Sequence, residues 1–491
     1  MNKRTVVNNL GKIIMVEAVL MVIPLILCLC YGEFVDAHRF AVTILPTAII
    51  GLLCTRVKGS SLNPRDGYVI VASAWIIISI IAAVPFCMTG AFGSYIGALF
   101  EVVSGFTTTG ASVLAAPEVL GHGMQFFRCF THWIGGMGVL VFVLMLVPME
   151  NDSSMHLIRA EVPGPTAGKL VPKMKDTSRI LYAIYGVLTL ILAVVLVIEG
   201  MPLFDAVCYA FGTAGTGGFS INSQFLNIYA NSHVLEYTIA IGMLVFGVNF
   251  NIYFLILLGK VKEAFKNEEV KTYLCIVVAA VVMIALNLYK GINLADNGIH
   301  AVGTMEIKDA FRVSVFQVSS IITTTGFASA DFGAWPQFSQ HVLALLMIIG
   351  ACAGSTAGGF KVSRVIILWK SFIAEIKRAI NPKQIMPVRV NGEVIENKTL
   401  QSVKVYAATY FIIVCLSVLV ISLSGHDFTT NVTAVLACFN NIGPGLALVG
   451  PAANYSVYAD PFKVLLSILM LTGRLEIFPM FMLFAKSAHD R

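Results

Sequence analysis

The chain has 491 residues, 57% of them hydrophobic and 12% charged, with a formal net charge of +6 and a mean hydropathy of +0.83. Soluble domains carry about 25% charged residues, so this balance excludes a soluble fold and predicts a membrane protein of many spans. The positive charge calls for no nucleic-acid partner, because cytoplasmic loops of membrane proteins are enriched in Lys and Arg.

The first apolar run, 13–32, follows Lys3, Arg4 and Lys12. It lacks a small-residue cleavage site and a second run follows at once, which predicts a retained helix rather than a signal peptide. Further apolar segments fall near 40–55, 68–88, 125–148, 180–199, 233–258, 272–289, 340–373, 403–424 and 462–485, giving ten predicted spans. The eighth is interrupted by glycines. Four shorter pieces, 94–106, 203–214, 309–322 and 428–440, are too short to cross and read as re-entrant helices. Of the 33 Lys and Arg residues, 26 lie in 1–12, 56–65, 159–179, 260–271, 361–404 and 486–491. These are alternate loops, so both termini are expected in the cytoplasm and all four short pieces on the outer side. The ten cysteines form no C-x-x-C pair and read as small hydrophobes rather than disulfides or metal ligands.

The short pieces share an ending: Thr107–Ser112 is TTTGAS, Gly215–Ser220 is GTGGFS, Thr323–Ala328 is TTTGFA and Asn440–Gly445 is NNIGPG. Aligned, they give one glycine column, Gly110, Gly218, Gly326 and Gly443, at intervals of 108, 108 and 117 residues. A single copy reads as a helix C-cap, where glycine accepts the left-handed conformation. Four copies, each after a short apolar piece and before a full span, read as an internal repeat. Irregular backbone at membrane depth is allowed only where it lines a cavity or is buried in protein. Four such segments around one axis can present rings of carbonyl oxygens that replace a cation's hydration shell. Glycine aims the carbonyls without a clashing Cβ, and threonine adds a hydroxyl acceptor.

The predicted fold is therefore an all-α polytopic membrane protein with two N-terminal helices and four span–pore-helix–filter–span repeats around one pore. The units are 1–66, then repeats at 67–150, 151–268, 269–400 and 401–491. The ion-binding residues expected from the repeat are Thr108, Thr109, Gly110, Thr216, Gly217, Gly218, Thr324, Thr325, Gly326, Asn441, Ile442 and Gly443.

TTTGAS, TGGFS, TTTGF and NNIGPGL, in that order on one chain, resemble the filters of the Trk/Ktr/HKT potassium transporter superfamily, and the resemblance covers the whole chain. The extra helices at 13–55 and the stretch Phe127–Val139, FRCFTHWIGGMGV, resemble its TrkH branch. The resemblance implies potassium as the transported ion, since glycine stands in all four columns where sodium-carrying plant relatives have serine in the first. It also implies a homodimer with one pore per protomer, a cytosolic TrkA-like nucleotide-binding ring that controls gating, and a bacterial inner-membrane location. The fourth segment departs most from the family pattern, with Asn441, Ile442 and Pro444.

Three further groups stand out. Gly350, Gly354, Gly358 and Gly359, with Ser355, Thr356 and Lys361, would break a helix at mid-membrane. They read either as a small-residue packing face or as an intramembrane gating loop, which the resemblance favours. Arg474, with Glu476 nearby, lies deep in the last predicted span, where an arginine costs about 3 kcal/mol and normally faces protein or water. A snorkelling side chain is the alternative, and pairing with carbonyls of the 350–359 loop or with the Ser355 and Thr356 hydroxyls is the simplest arrangement. Asp205, Asp309 and Asp427 open the second, third and fourth short helices and read as helix caps, compatible with drawing cations to the outer mouth, while Glu101 lies within the first. Arg128 is expected at the interface.

No hydrolase, zinc-protease or nucleotide-loop motif appears, and GTAGTGG at 212–218 does not follow a strand, so no enzyme activity and no organic cofactor are expected. The competing reading is a sodium- or proton-coupled potassium symporter with alternating access. Such carriers also use broken helices, but their repeats are usually inverted or paired in halves, whereas these four run parallel.

Overall fold

The structure, a computed structural model, describes residues 2–57, 64–138, 174–290, 292–293, 300–301, 305–383 and 386–484. It is helical apart from two antiparallel pairs of two-residue strands, Ile292–Asn293 with His300–Ala301 and Arg389–Val390 with Glu393–Val394.

The N-terminal unit consists of α1 (Lys3–Leu20), α2 (Val22–Cys30) and α3 (Phe34–Thr55). Its helices approach closely through glycine, as is usual where lipid supplies no hydrophobic drive. A Cβ on Gly11 would stand 2.6 Å from Cys54 Cβ, and one on Gly51 2.8 Å from Met15 Cγ. Glu33, in the α2–α3 turn, accepts the backbone N–H groups of His122 at 2.7 Å and Gly123 at 3.0 Å. It thereby caps the first turn of a helix in repeat 1, where the helix dipole favours a carboxylate.

Repeat 1 comprises α4 (Pro64–Cys87), α5 (Tyr95–Phe106) and α6 (His122–Gly136). Repeat 2 comprises α7 (Met174–Ile198), α8 (Leu203–Gly215), α9 (Ser232–Phe246) and α10 (Phe250–Leu257), and short α11 (Val261–Lys266) leads on. Repeat 3 has α12 (Glu268–Lys290), α13 (Ile307–Ile322), α14 (Gln337–Ile349) and α15 (Val362–Ile380). Repeat 4 has α16 (Asn397–Ile421), α17 (Phe428–Phe439), α18 (Asp460–Arg474) and α19 (Phe478–Phe484). The four short helices, α5, α8, α13 and α17, lie within two residues of their predicted limits. Among the described residues six helices are long and apolar enough to cross a membrane, and two bent pairs also qualify. Their outward faces stay apolar, with Leu45, Leu190, Leu286 and Leu419 all exposed, as a helix facing lipid requires.

The second helix of a repeat is not the continuous span its apolar run suggests. The predicted span 233–258 bends by 88° between α9 and α10, and 462–485 bends by 119° between α18 and α19. The interruption predicted in the eighth span is present, separating α14 from α15. In repeat 1, α6 ends at Gly136, and residues 139–148 of predicted span 125–148 lie outside the described residues.

Candidate functional site

Each short helix ends in the same way. The residue two before the column glycine is left-handed: Thr108, Thr216, Thr324 and Asn441 have φ of 54, 53, 54 and 56°. The next residue donates its N–H five residues back, Thr109 to Ser104, Gly217 to Gly212 and Thr325 to Ser320 at 2.8 Å, and Ile442 to Ala437 at 2.9 Å. This is the Schellman termination. The sequence reading assigned the left-handed cap to glycine, but threonine or asparagine occupies it. A β-branched residue there is an outlier, and such strain costs about 1–3 kcal/mol per residue. Repeats 1 and 3 brace it alike: Thr107 Oγ1 bonds Thr109 Oγ1 at 2.7 Å, and Thr323 Oγ1 bonds Thr325 Oγ1 at 2.8 Å.

The chain then turns left-handed again at the glycine column, with φ of 78, 74, 85 and 101° at Gly110, Gly218, Gly326 and Gly443. Here the four segments meet. A Cβ on Gly110 would lie 2.1 Å from the carbonyl oxygen of Gly217, and one on Gly218 1.9 Å from that of Thr325. One on Gly326 would lie 1.9 Å from that of Ile442, and one on Gly443 2.7 Å from that of Thr109. Repeat 1 thus touches 2, 2 touches 3, 3 touches 4 and 4 touches 1. The contacts close a circle, with one carbonyl per repeat at the same level. Below it Thr108 Oγ1 and Asn441 Oδ1, from the same column of two repeats, are buried with no hydrogen-bond partner among the described residues. Buried polar atoms are rarely left so, and orphaned oxygens suit a cation. Above the circle opens a cavity of about 270 Å³ lined by all four column glycines.

Around this circle lie residues whose roles the sequence did not reveal. Glu101 lies within α5, as expected, and the helix is capped by Ser94 through the N–H of Gly97 at 3.0 Å. Arg128 is not interfacial: it is 4% exposed and bonds Glu101 through Nε at 2.7 Å. His132 is fully buried, with Nδ1 2.8 Å from the carbonyl oxygen of Gly105 and Nε2 accepting the N–H of Phe219 at 3.2 Å. These bonds require the neutral ring with its proton on Nδ1. The available signal was the i, i+4 spacing of Arg128 and His132, which puts both on one face of α6. Of the three aspartates expected as caps, Asp427 caps α17 through the N–H of Thr430 at 3.0 Å. Asp205 instead accepts the Tyr229 hydroxyl at 2.6 Å, and Asp309 pairs with Arg312 at 3.1 Å.

Directly beneath the circle the loop 350–361 fills the gap between α14 and α15. Gly350, Gly354 and Gly359 are left-handed at 70, 72 and 75°, as is Lys361 at 72°. Gly358 donates its N–H to Thr324 Oγ1 at 2.7 Å, so the loop touches a threonine of the circle. The loop's main chain, orphaned by the missing helix, is satisfied by neighbours as membrane depth demands. Cys352 N–H reaches the carbonyl of Gly247 at 3.1 Å, and Gly354 accepts from Phe250 N–H at 3.0 Å, both at the α9–α10 break. Glu269 accepts the N–H groups of Ala353 at 2.7 Å and Ser363 at 3.1 Å, holding both ends of the loop. Ser355 Oγ and Thr356 Oγ1 donate to the carbonyls of Cys352 at 2.6 Å and Phe246 at 3.2 Å, and Lys361 Nζ donates to Ala357 O.

Arg474 ends α18, at the bend rather than inside an unbroken span. It donates through Nη1 to Thr356 O at 2.8 Å, a loop carbonyl, and not to either loop hydroxyl. Through Nη2 it also reaches Gly135 O at 2.5 Å and Gly136 O at 2.7 Å, the negative end of α6. The α9–α10 break meets the loop directly, and through Arg474 the ends of α6 and α18 are joined to it.

The TrkH family signature, described as a cation transport protein, matches residues 32–490. The chain is 31% identical over 488 residues to the Trk system potassium uptake protein TrkG of Escherichia coli K12, covering 98% of each chain. It is 32% identical over 490 residues to TrkH of the same strain, covering 99% of each. The crystal structure of the potassium transporter TrkH from Vibrio parahaemolyticus superposes with a TM-score of 0.87 at 28% identity, covering all of both chains. The repeats, their closed circle and these matches make the chain a member of the TrkH family of cation transport proteins.

Proposed function

We propose that the protein is the potassium-selective, ion-conducting membrane subunit of a Trk-type potassium uptake system in a bacterial inner membrane. The observation that carries this is the closed circle of glycine-to-carbonyl contacts, which offers a dehydrated cation one main-chain oxygen from each repeat. The relatives named as potassium uptake proteins support the choice of ion. The twelve residues Thr108–Gly110, Thr216–Gly218, Thr324–Gly326 and Asn441–Gly443 form the binding path, and Arg474 with the 350–361 loop forms the gate beneath it. The gate is controlled by a cytosolic TrkA-like nucleotide-binding ring docked on the basic segment 377–404, and two protomers associate, each with its own pore. Tracer flux of potassium, rubidium and sodium into liposomes holding the purified protein tests the reading. Potassium and rubidium should pass and sodium lag far behind; equal passage of all three would sink it.

A further inference from the structure

The position nine residues before each column glycine is Glu101, Tyr209, Gln317 and Ala434 in repeats 1 to 4. In three repeats this one position of the short helix reaches up to the segment leaving the circle. Tyr209 OH bonds Ser220 Oγ at 3.1 Å, and Gln317 Nε2 donates to Phe327 O at 3.3 Å. In repeat 4 the neighbouring Thr433 takes over, its Oγ1 accepting the N–H of Leu446 at 2.9 Å. Three of the four staples are neutral. Glu101 alone is charged.

Glu101 is 1% exposed. Its Oε2 accepts Val113 N–H at 2.9 Å, and its Oε1 accepts both Ser112 Oγ at 2.9 Å and Arg128 Nε at 2.7 Å. Arg128 then crosses to the next repeat, donating through Nη1 to Ser220 O at 2.8 Å, with its guanidinium 3.6 Å from the centre of the Phe219 ring. Nη2 turns back to Ser112 Oγ at 3.3 Å. One ion pair thus fastens the exits of segments 1 and 2, two residues beyond Gly110 and Gly218. Arg128 also lines the cavity above the circle, so its positive charge faces the cation path and Glu101 neutralises it.

We propose that Glu101 and Arg128 are positioning residues for ion selectivity. They hold the first two segments at the spacing that discriminates potassium from sodium, and the charge balance between them keeps the cavity hospitable to cations. The inference rests on the potassium-selective reading above, and the parent protein's own flux ratio tests that reading separately.

Glu101→Gln strands a buried guanidinium and Arg128→Gln a buried carboxylate, so each should lower the potassium-to-sodium flux ratio in liposomes by about tenfold. Arg128→Lys keeps the charge for Glu101 but loses the fork to Ser220, and should fall between these and the parent. Tyr209→Phe, which removes the neutral staple of repeat 2, should change the ratio less than about twofold. Because a stranded charge can prevent folding, the double variant Glu101→Gln/Arg128→Met removes both charges together. It should melt near the parent and still lose discrimination. A double variant that folds and discriminates as the parent does, or single variants that fold with an unchanged ratio, would overturn the proposal.

Discussion

The glycine circle and the region beneath it are built on opposite plans. In the circle all four repeats do the same thing: a left-handed Thr or Asn, a bond five residues back, then a left-handed glycine against the next repeat's carbonyl. Beneath it the repeats differ, with a helix end at Gly136, bends at 247–249 and 475–477, and the loop 350–361. The circle is made of main chain with each repeat supplying one carbonyl, the equal arrangement that the proposed cation on the axis would need. The loop beneath has no such symmetry and comes from one repeat. It is held by individual side chains: Arg474 and Glu269, which lie outside the circle, and Thr324, which belongs to it.

The largest effect is expected from breaking the equality of the circle. Gly218→Ser or Gly326→Ser puts a side chain where a Cβ alone would meet backbone oxygen at 1.9 Å, and should cut the potassium-to-sodium flux ratio by about tenfold or more, a loss of at least about 1.4 kcal/mol. Gly443→Ser, with 2.7 Å of clearance, should cost less. Gly105 is not a neutral control, because its Cβ would meet Thr131 Oγ1 at 2.3 Å; Gly186, with nothing within 4 Å, is one. Ratios in the column variants that match Gly186→Ala would remove the assignment.

Next in size is release of the barrier. Deleting 354–358, or Arg474→Ala, which abandons the carbonyls of Thr356, Gly135 and Gly136, should raise potassium flux in the absence of any regulator roughly three- to tenfold. The ion ratio should not move. Folded variants that conduct no better than the parent would make the loop a packing feature.

A smaller and purely extrinsic effect concerns the regulator. Reversing the charges of Lys377, Arg378 and Lys383 together should abolish co-purification of a TrkA-like ring while leaving basal flux and selectivity intact. Continued co-purification would make 377–404 an ordinary basic loop.

The smallest sits at the edge of the circle's scaffold. Hydrogen bonds from the Thr430 side chain and N–H hold the Asp427 carboxyl below the usual carboxylate range. The stability that this shift contributes is present above a pH of about 3.9 and is lost as pH falls through the lowered folded value. Asp427→Ala should remove about 1 kcal/mol of capping at neutral pH, whereas Asp427→Asn keeps the cap and loses its acid sensitivity. Melting midpoints in detergent at neutral and acid pH separate the two, and identical curves would show that the cap does not limit stability.

The membrane class, the four re-entrant helices and the glycine column were legible in the sequence. Each is written in local composition: an apolar run of a given length is the same signal wherever it lies, and a four-fold repeat states it four times. The breaks in the second helices were legible only where glycines crowd, at 350–359. The bends at 247–249 and 475–477 interrupt runs that are apolar on average, although Asn249 and Asn251, and Arg474 and Glu476, stand at them, and in repeat 2 the broken main chain finds its partners in the loop of repeat 3. The pairing of Glu101 with Arg128, which looked interfacial, was not legible because the bond spans 27 residues and a helix boundary. Arg474 was recognisable as a buried charge, and a loop carbonyl as one acceptor. Gly135 and Gly136 were not, since they stand 339 and 338 residues away. Periodicity and hydropathy are properties of neighbours along the chain, so the sequence determined what each repeat is. Which polar group satisfies which across the pore depends on how four repeats close around one axis, and that only the tertiary structure decided.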